Sequence, residues 1–565
     1  MKKYGLLLLT ILLCAAAGAI MTGAILAQNS GTGQAAPQAG STDTIAEDAL
    51  TVPSGKGGTV EACFLSAQEY EKMKADRSET DFDPSCLFFE GLPVPYDKES
   101  NTVYIPQSCE TSAWEGMLRA AVSEQEICIL NDEPDDKRKC IEEGRSLSLA
   151  VVTERKYMEC SLVFTGLPAV CISNDEGEVR YGEDYSGPIL VLDPYREEYQ
   201  DCACSFHIRG ATSLLFDKKS YRVELKNAEG ENAKESFLGM RRDDDWILNS
   251  LCTDRSLARE KICYELWEKL NGMEEEPVPS SRIEYCELFL NNEYLGVFGL
   301  QYPVDKKLMK LVPGDLLYKV GTWYEESDYS GNLTDHNGSN EILNSNGVSY
   351  LELKFPKEAG PDCIYDPFEL FQDMVFETGD MTAMEDAGIS LDLDNFILHE
   401  LFCEMTRAGD NTWKNMFIAA RKKQDGGYVL SETIWDLNYT FGDRFVWDPD
   451  HGNTEFYAGS TDLYKVRYDR DYGYVRLAQI VDGLRDDTGS KWREWRAQGI
   501  GPDYINGLFE ENSEYLRKSG AFARNAQKWS CPAQEEAYSG IKEWVEGRFD
   551  FLDELYDHSE KEKAE

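Results

Sequence analysis

Positive charge is scarce in this chain: 57 Lys and Arg stand against 103 Asp and Glu, a formal net charge of −46. A nucleic-acid binder needs a basic footprint over the phosphates, so DNA and RNA are not expected partners. The same balance favours basic proteins or peptides and keeps an exported chain soluble. Histidine is scarcer still, with 5 residues in 565, and His399-Glu400 lacks the second histidine of a zinc-protease helix. The 16 cysteines contain no Cys-x-x-Cys pair, and Cys202-x-Cys204 has no second half, which argues against a zinc site. No Gly-x-Ser-x-Gly elbow, Gly-x-Gly-x-x-Gly loop or Walker loop occurs. Gly31-Thr32-Gly33 has no strand before it and no helix after it. There is no internal repeat and no second long apolar run.

The one long apolar run comes first. Met1-Lys2-Lys3 is followed by residues 5–27 without a charge, about 34 Å as a helix and enough to span a bilayer. The lysines hold the N-terminus in the cytoplasm and place the rest outside. Residues 1–27 therefore read as a membrane anchor, with a cleaved signal peptide ending at Ala27 as the alternative. Residues 28–58, rich in Gly, Ala, Ser and Thr, form a flexible tether. In an exported chain some cysteines can pair, whereas Cys263 and Cys403, among apolar helical neighbours, read as buried small hydrophobes.

Residues 59–172 carry short β-rich runs at 86–89, 102–106, 126–130, 147–152 and 160–164, spaced as in a small β-sandwich. They hold no catalytic constellation. From residue 173 the texture is strands around one major helix, in which Ile262, Leu266 and Leu270 share a face. Asp254 is its expected N-cap and Gly272 its end. Asn291-Asn292 is a hairpin turn. The expected fold class is α+β: two lobes over residues 173–565, β-rich to about 390 and helical after, preceded by the β-module and the apolar anchor.

The stretch 393–442 organises this body. Leu393, Ile397, Leu401 and Met405 repeat at helical spacing, with Asp392 as N-cap and Gly409 as the stop. Asp410 and Asn415 follow, then a strand at 416–420, a turn at 423–427 and a strand at 428–435 that delivers Asp436-Leu437-Asn438. Helix, Asp-x-x-x-x-Asn loop, hairpin and Asp is the order in which protein kinases present their hydroxyl-orienting base and magnesium ligands. If the last strand runs through Trp435, Asp436 and Asn438 point to one side.

Several blocks arrive in a fixed order. They are Arg209-Gly210-Ala211-Thr212-Ser213, Lys218-Lys219-Ser220-Tyr221-Arg222, Asp245-Trp246-Ile247-Leu248, Asp254 with Leu257-Ala258-Arg259, and Phe289-Leu290-Asn291 with Tyr294-Leu295-Gly296-Val297. Asp410 with Asn415, and Trp435-Asp436-Leu437-Asn438 with Phe441-Gly442, complete the set. Together they resemble the CotH (spore-coat-protein-H) family of atypical secreted kinases, from about residue 181 to at least 442. The resemblance implies a divergent kinase-like fold, ATP with Mg²⁺ or Mn²⁺, and phosphoryl transfer to Ser or Thr of protein substrates.

On that reading Asp410 accepts or orients the hydroxyl proton, and Asn415, Asp436 and Asn438 hold the metal through hard oxygens. Lys218 is favoured over its neighbour Lys219 as the strand lysine on the α/β-phosphates; Arg209 is a further phosphate contact or the holder of a structural turn, and Arg259 a phosphate contact or a brace of the cleft. Read without the resemblance, the two lysines are a solvated strand edge and Asp410 a loop residue. The family usually has Trp-Asp-x-Asp where this chain has Asn438, which lowers the charge on the metal. A non-enzymatic cell-surface binding or adhesion protein on the same fold is the alternative.

Overall fold

The computed structural model describes residues 63–114, 116–121, 125–130, 136–322, 340–343, 349–358, 360, 362–408, 410–411, 413–442, 444–448, 453–457 and 484–564. The anchor and tether expected over residues 1–58 lie outside them. Among the described residues no helix is long and apolar enough to cross a membrane. The described cysteines from Cys86 to Cys531 whose side chains are resolved in the fold carry free thiols.

The chain closes a seven-stranded barrel from β1 (Ala169–Ile172), β2 (Tyr185–Asp193), β3 (Glu198–Arg209), β4 (Ser220–Lys226), β5 (Asp245–Asn249), β6 (Ile283–Leu290) and β7 (Glu293–Gln301). The order is β1-β2-β3-β4-β5-β7-β6, and only the closing pair β6–β1 is parallel. Alternation sends Val191, Phe206, Val223, Trp246, Leu288 and Phe298 into one apolar core. The β6–β7 turn has Asn291 and Asn292 at φ 52° and 58°, the left-handed pair that a tight hairpin requires.

Helix α1 (Arg259–Asn271) packs Ile262, Leu266, Trp267 and Leu270 against the barrel and ends at Gly272. Its N-cap differs from expectation. Ala258 holds that position without a side-chain bond, and Asp254 accepts the Arg259 N–H (2.8 Å) from five residues upstream.

A second, six-stranded sheet follows: β8 (Leu316–Val320), β9 (Glu341–Leu343), β10 (Ser349–Phe355), β11 (Ile389–Leu391), β12 (Met416–Lys422) and β13 (Tyr428–Ile434), ordered β9-β10-β8-β12-β13-β11. The expected division near residue 390 cuts through this sheet, because β8 pairs with β12 from the far side of it. One face places Tyr318, Leu351, Leu353 and Ile418 against Phe368, Phe371 and Phe396. The other turns Leu317, Phe417 and Ala419 to the barrel core.

Helix α2 (Leu393–Thr406) starts where Asp392 accepts the Asn395 N–H (3.3 Å), as expected. Leu398, Leu401, Phe402 and Met405 are fully buried with α1 and the C-terminal helices α3 (Leu484–Ala497), α4 (Pro502–Lys518), α5 (Ala521–Trp529) and α6 (Ile541–Ala564). Truncating any one of them to Ala would cost about 2–5 kcal/mol.

The N-terminal module is not a simple sandwich. Its seven-stranded sheet contains parallel pairs, Cys63–Leu65 with Glu126–Leu130 and Thr102–Pro106 with Lys156–Thr165, beside antiparallel ones. A separate three-stranded sheet joins Leu92–Pro93, Leu87–Phe89 and Leu118–Ala120. The last residues inside the expected module bound of 172, Ala169–Ile172, form β1 of the barrel. The module docks on the barrel through Tyr104 stacked on Tyr294 (5.2 Å), and Arg524 of α5 ties Thr165 to Glu287 (2.6 and 2.9 Å).

Candidate active site

The loop after α2 is held from both ends. Arg407 takes the left-handed cap (φ 52°), and Ala408 N–H returns to Cys403 O (3.0 Å); Gly409, the expected stop, lies outside the described residues. Fully buried Arg548 of α6 donates to Glu404 O and to its carboxylate (2.7 Å), which fixes the helix end. Trp413 sinks into the aromatic core 4.5 Å from Phe376 and donates to Tyr350 Oη (3.2 Å). Between these anchors Asp410 stays one-quarter exposed. It accepts from Lys414 Nζ (2.9 Å) and from Asn415 Nδ2 (2.9 Å).

Strand β13 stops at Ile434, and Asp436 adopts φ 59°. A left-handed residue ends strand alternation, so the expectation that Asp436 and Asn438 share a strand face does not hold. Asn438 instead donates from Nδ2 to Thr253 Oγ1 (2.5 Å), and Thr253 lies in the segment before α1.

Asp436 lies in a charged environment. Its burial and the Asp410 charge push its carboxyl above the usual aspartate range, while Lys414, Arg209 and Lys319 pull it back. Burial lowers Arg209, opposed by the Asp436 charge. Burial also lowers Lys319 on β8, opposed by Glu352 and Asp436. Burial pulls on Lys414 too, but the Asp410 charge outweighs it and the ammonium sits above its ordinary value. Glu260 of α1 is pushed up to about 8 by burial and then by Asp436. Its carboxyl accepts from Asn249 Nδ2 (2.9 Å) and Tyr264 Oη (3.2 Å).

The structure thus brings together Asp410, Asn415, Asp436 and Arg209 from the sequence-predicted set. It sends Lys218, Lys219 and Arg259 elsewhere. Lys218 and Lys219 precede β4, which begins at Ser220, so neither projects from a strand. Lys218 is buried; its Nζ donates to Val297 O (2.5 Å) and Asn525 Oδ1 (2.9 Å) and stands over the Phe298 ring (4.6 Å). Burial brings it down to about 7. Lys219 Nζ donates to Leu214 O (2.8 Å) and Phe216 O. Arg259, fully buried, pairs with Asp254 (2.6 Å) and donates to Thr440 O (3.1 Å), bracing α1 against the segment after Asp436.

Sequence reading missed Lys319, Lys414, Glu260 and Tyr264. Each left a signal: a lysine two residues after Leu317 on the same face of an apolar strand, a cation four residues after Asp410, and a Glu/Tyr pair four apart on the α1 face.

The donor set fits a divalent cation. Asp436 and Asp410 are carboxylates whose mutual repulsion a dication would relieve. Asn415 commits Nδ2 to Asp410, which leaves Oδ1 as its ligand atom. Among the described residues no group of three His, Cys, Asp or Glu stands together, so the amide oxygen is needed to complete the set.

Clustered cations facing paired acids, hung between a barrel and a second sheet, define a kinase-like enzyme. A family model described as CotH kinase protein matches residues 206–552, more than half of the chain, and the chain belongs to that family. The match opens inside β3 and runs into α6, so it takes in the C-terminal helices and leaves out the N-terminal module and the first two barrel strands. No curated protein matches the chain.

Proposed function

We propose that this protein transfers the γ-phosphoryl group of ATP to Ser or Thr hydroxyls of protein substrates outside the cytoplasm. One observation carries the reading: the Asp436 carboxyl feels the charges of Asp410, Arg209, Lys319 and Lys414, and Lys414 pairs with Asp410. Phosphoryl transfer asks for positioning and charge neutralisation, and this cluster offers both. Asp410 takes the proton of the substrate hydroxyl. The hydroxyl oxygen bonds to the γ-phosphorus as the bond to the bridging oxygen of ADP breaks. Arg209 and Lys319 hold phosphate oxygens, in place of Lys218 and Lys219. Asp436 and Asn415 hold Mg²⁺ or Mn²⁺, which when bound neutralises phosphate charge. Lys414 orients Asp410 through its ion pair.

The net charge of −46 favours a basic protein substrate. The apolar N-terminal run supports membrane tethering with the body outside. Protease added to intact cells should digest that body, and full protection would remove the exported reading. Asn438 favours a second reading, a binding protein with weak or no catalysis, because its amide is engaged by Thr253 and adds no negative charge. The full chain, incubated with γ-labelled ATP and Mg²⁺ or Mn²⁺, should label itself or a basic Ser/Thr-rich protein. Nucleotide binding without any transfer would select the second reading.

A further inference from the structure

Asn411 lies one residue after Asp410, and neither the order of motifs nor the charges of the site point to it. Its side chain is almost fully buried, with 1% of its surface exposed. Both of its contacts come from Nδ2, one donated to Asn415 O (3.2 Å) and the other to Trp435 O (2.6 Å). Its own N–H closes a turn on Ala408 O (3.0 Å). The two carbonyls it grips stand at two of the places where the backbone turns left-handed: Asn415 itself, at φ 53°, and Trp435, just before Asp436, whose φ is 59°. Residues with a Cβ enter that region at a cost, and surrounding bonds must hold them there. Asn415 has a second tie through its N–H to Val320 O (3.1 Å). The Asp436 peptide is held through Trp435 O by Asn411.

We infer that Asn411 is a positioning residue that locks the Asp410–Asn415 loop to the Asp436 turn and so fixes the spacing between the metal-binding oxygens. The inference rests on the reading of this site as a metal-dependent phosphoryl-transfer centre. The amide suits the task because a single nitrogen offers two N–H donors in one plane, and two carbonyls are there to accept them. An aspartate of the same shape turns two donors into acceptors facing acceptors. Asn411 does this without touching substrate or metal, through the two carbonyls alone.

The test is Asn411→Asp and Asn411→Ser in the full chain, beside Met384→Ala. Met384 is a fully buried core residue on the helix Thr382–Asp386, which has no part in the site. Mn²⁺ binding is followed by electron paramagnetic resonance with ADP present, thermal stability by calorimetry, and phosphoryl transfer by label incorporation. Asn411→Asp should weaken Mn²⁺ binding at least tenfold and shift the metal optimum of transfer upward. Asn411→Ser, which keeps one donor, should fall between it and the parent, and it decides the question if the Asp variant does not fold. Met384→Ala should lose melting temperature with Mn²⁺ binding intact. Parent-like Mn²⁺ affinity in both Asn411 variants overturns the inference. So does a loss no greater than that of Met384→Ala at equal melting temperature. A parent protein that binds Mn²⁺ but transfers no phosphate refutes the kinase reading alone, since the Mn²⁺ titration still reads Asn411. A parent that binds no Mn²⁺ refutes both.

Discussion

Two regions of this molecule bury lysines, and they do so to opposite ends. Beside the barrel, Lys218 meets a backbone carbonyl, an asparagine oxygen and an aromatic face, with no carboxylate among its bonds. Burial wins there and the ammonium falls to about 7. Where the barrel meets the second sheet, Lys414 keeps about a quarter of its side chain exposed, against 5% for Lys218, and meets the Asp410 carboxylate at 2.9 Å, and its pKa rises. The lesson is that burial alone does not mark a functional lysine. A carboxylate partner keeps the charge on, whereas a neutral cage uses the same side chain to fasten α5 to β7.

The sharpest way to break the comparison is at Asp410. Asp410→Asn keeps the volume and the bond from Asn415 but removes the charge that holds Lys414. Phosphoryl transfer should fall about 10²–10⁴-fold with the melting temperature little changed. A folded variant with undiminished transfer would take Asp410 out of the mechanism.

A smaller effect is expected at Lys319. Lys319→Met keeps the apolar stem and removes the charge facing Asp436 and Arg209. If the ammonium holds a phosphate oxygen, ATP affinity should drop about 10–100-fold, the worth of one charged hydrogen bond. Equal ATP affinity by calorimetry would leave Arg209 as the phosphate contact.

The smallest effect on activity is expected at Lys218. Lys218→Met should change transfer less than about twofold, since the side chain faces α5 rather than the cleft. Its signature lies in stability. The folded pKa of about 7 lies below the ordinary lysine value of 10.5, so between them the unfolded chain binds more protons than the folded one. This residue therefore adds stability as pH rises from about 7 towards 10.5, and that share is lost as pH falls through 7. The Met variant should show a flatter rise in melting temperature over that range. A lost ATP affinity instead would return Lys218 to the site.

Local chemistry was legible from the residues because it acts over a few positions. Asp392 caps α2, Asn291-Asn292 turns the β6–β7 hairpin, and Asp410, Asn415 and Asp436 follow one another in the order of a phosphoryl-transfer site. The ordered blocks carried the family, which the match over residues 206–552 shows. Only the tertiary structure decided which cations meet those acids. Lys218 and Lys319 are both lysines near apolar strands, and what separates them is the neighbour brought from far along the chain, Asn525 in one case and Asp436 in the other. The left-handed turn at Asp436 likewise overrode strand alternation and turned Asn438 to Thr253. Pattern and propensity reach a few residues, whereas desolvation and Coulomb terms depend on distances set by the packing of α1, β8 and the α2 loop.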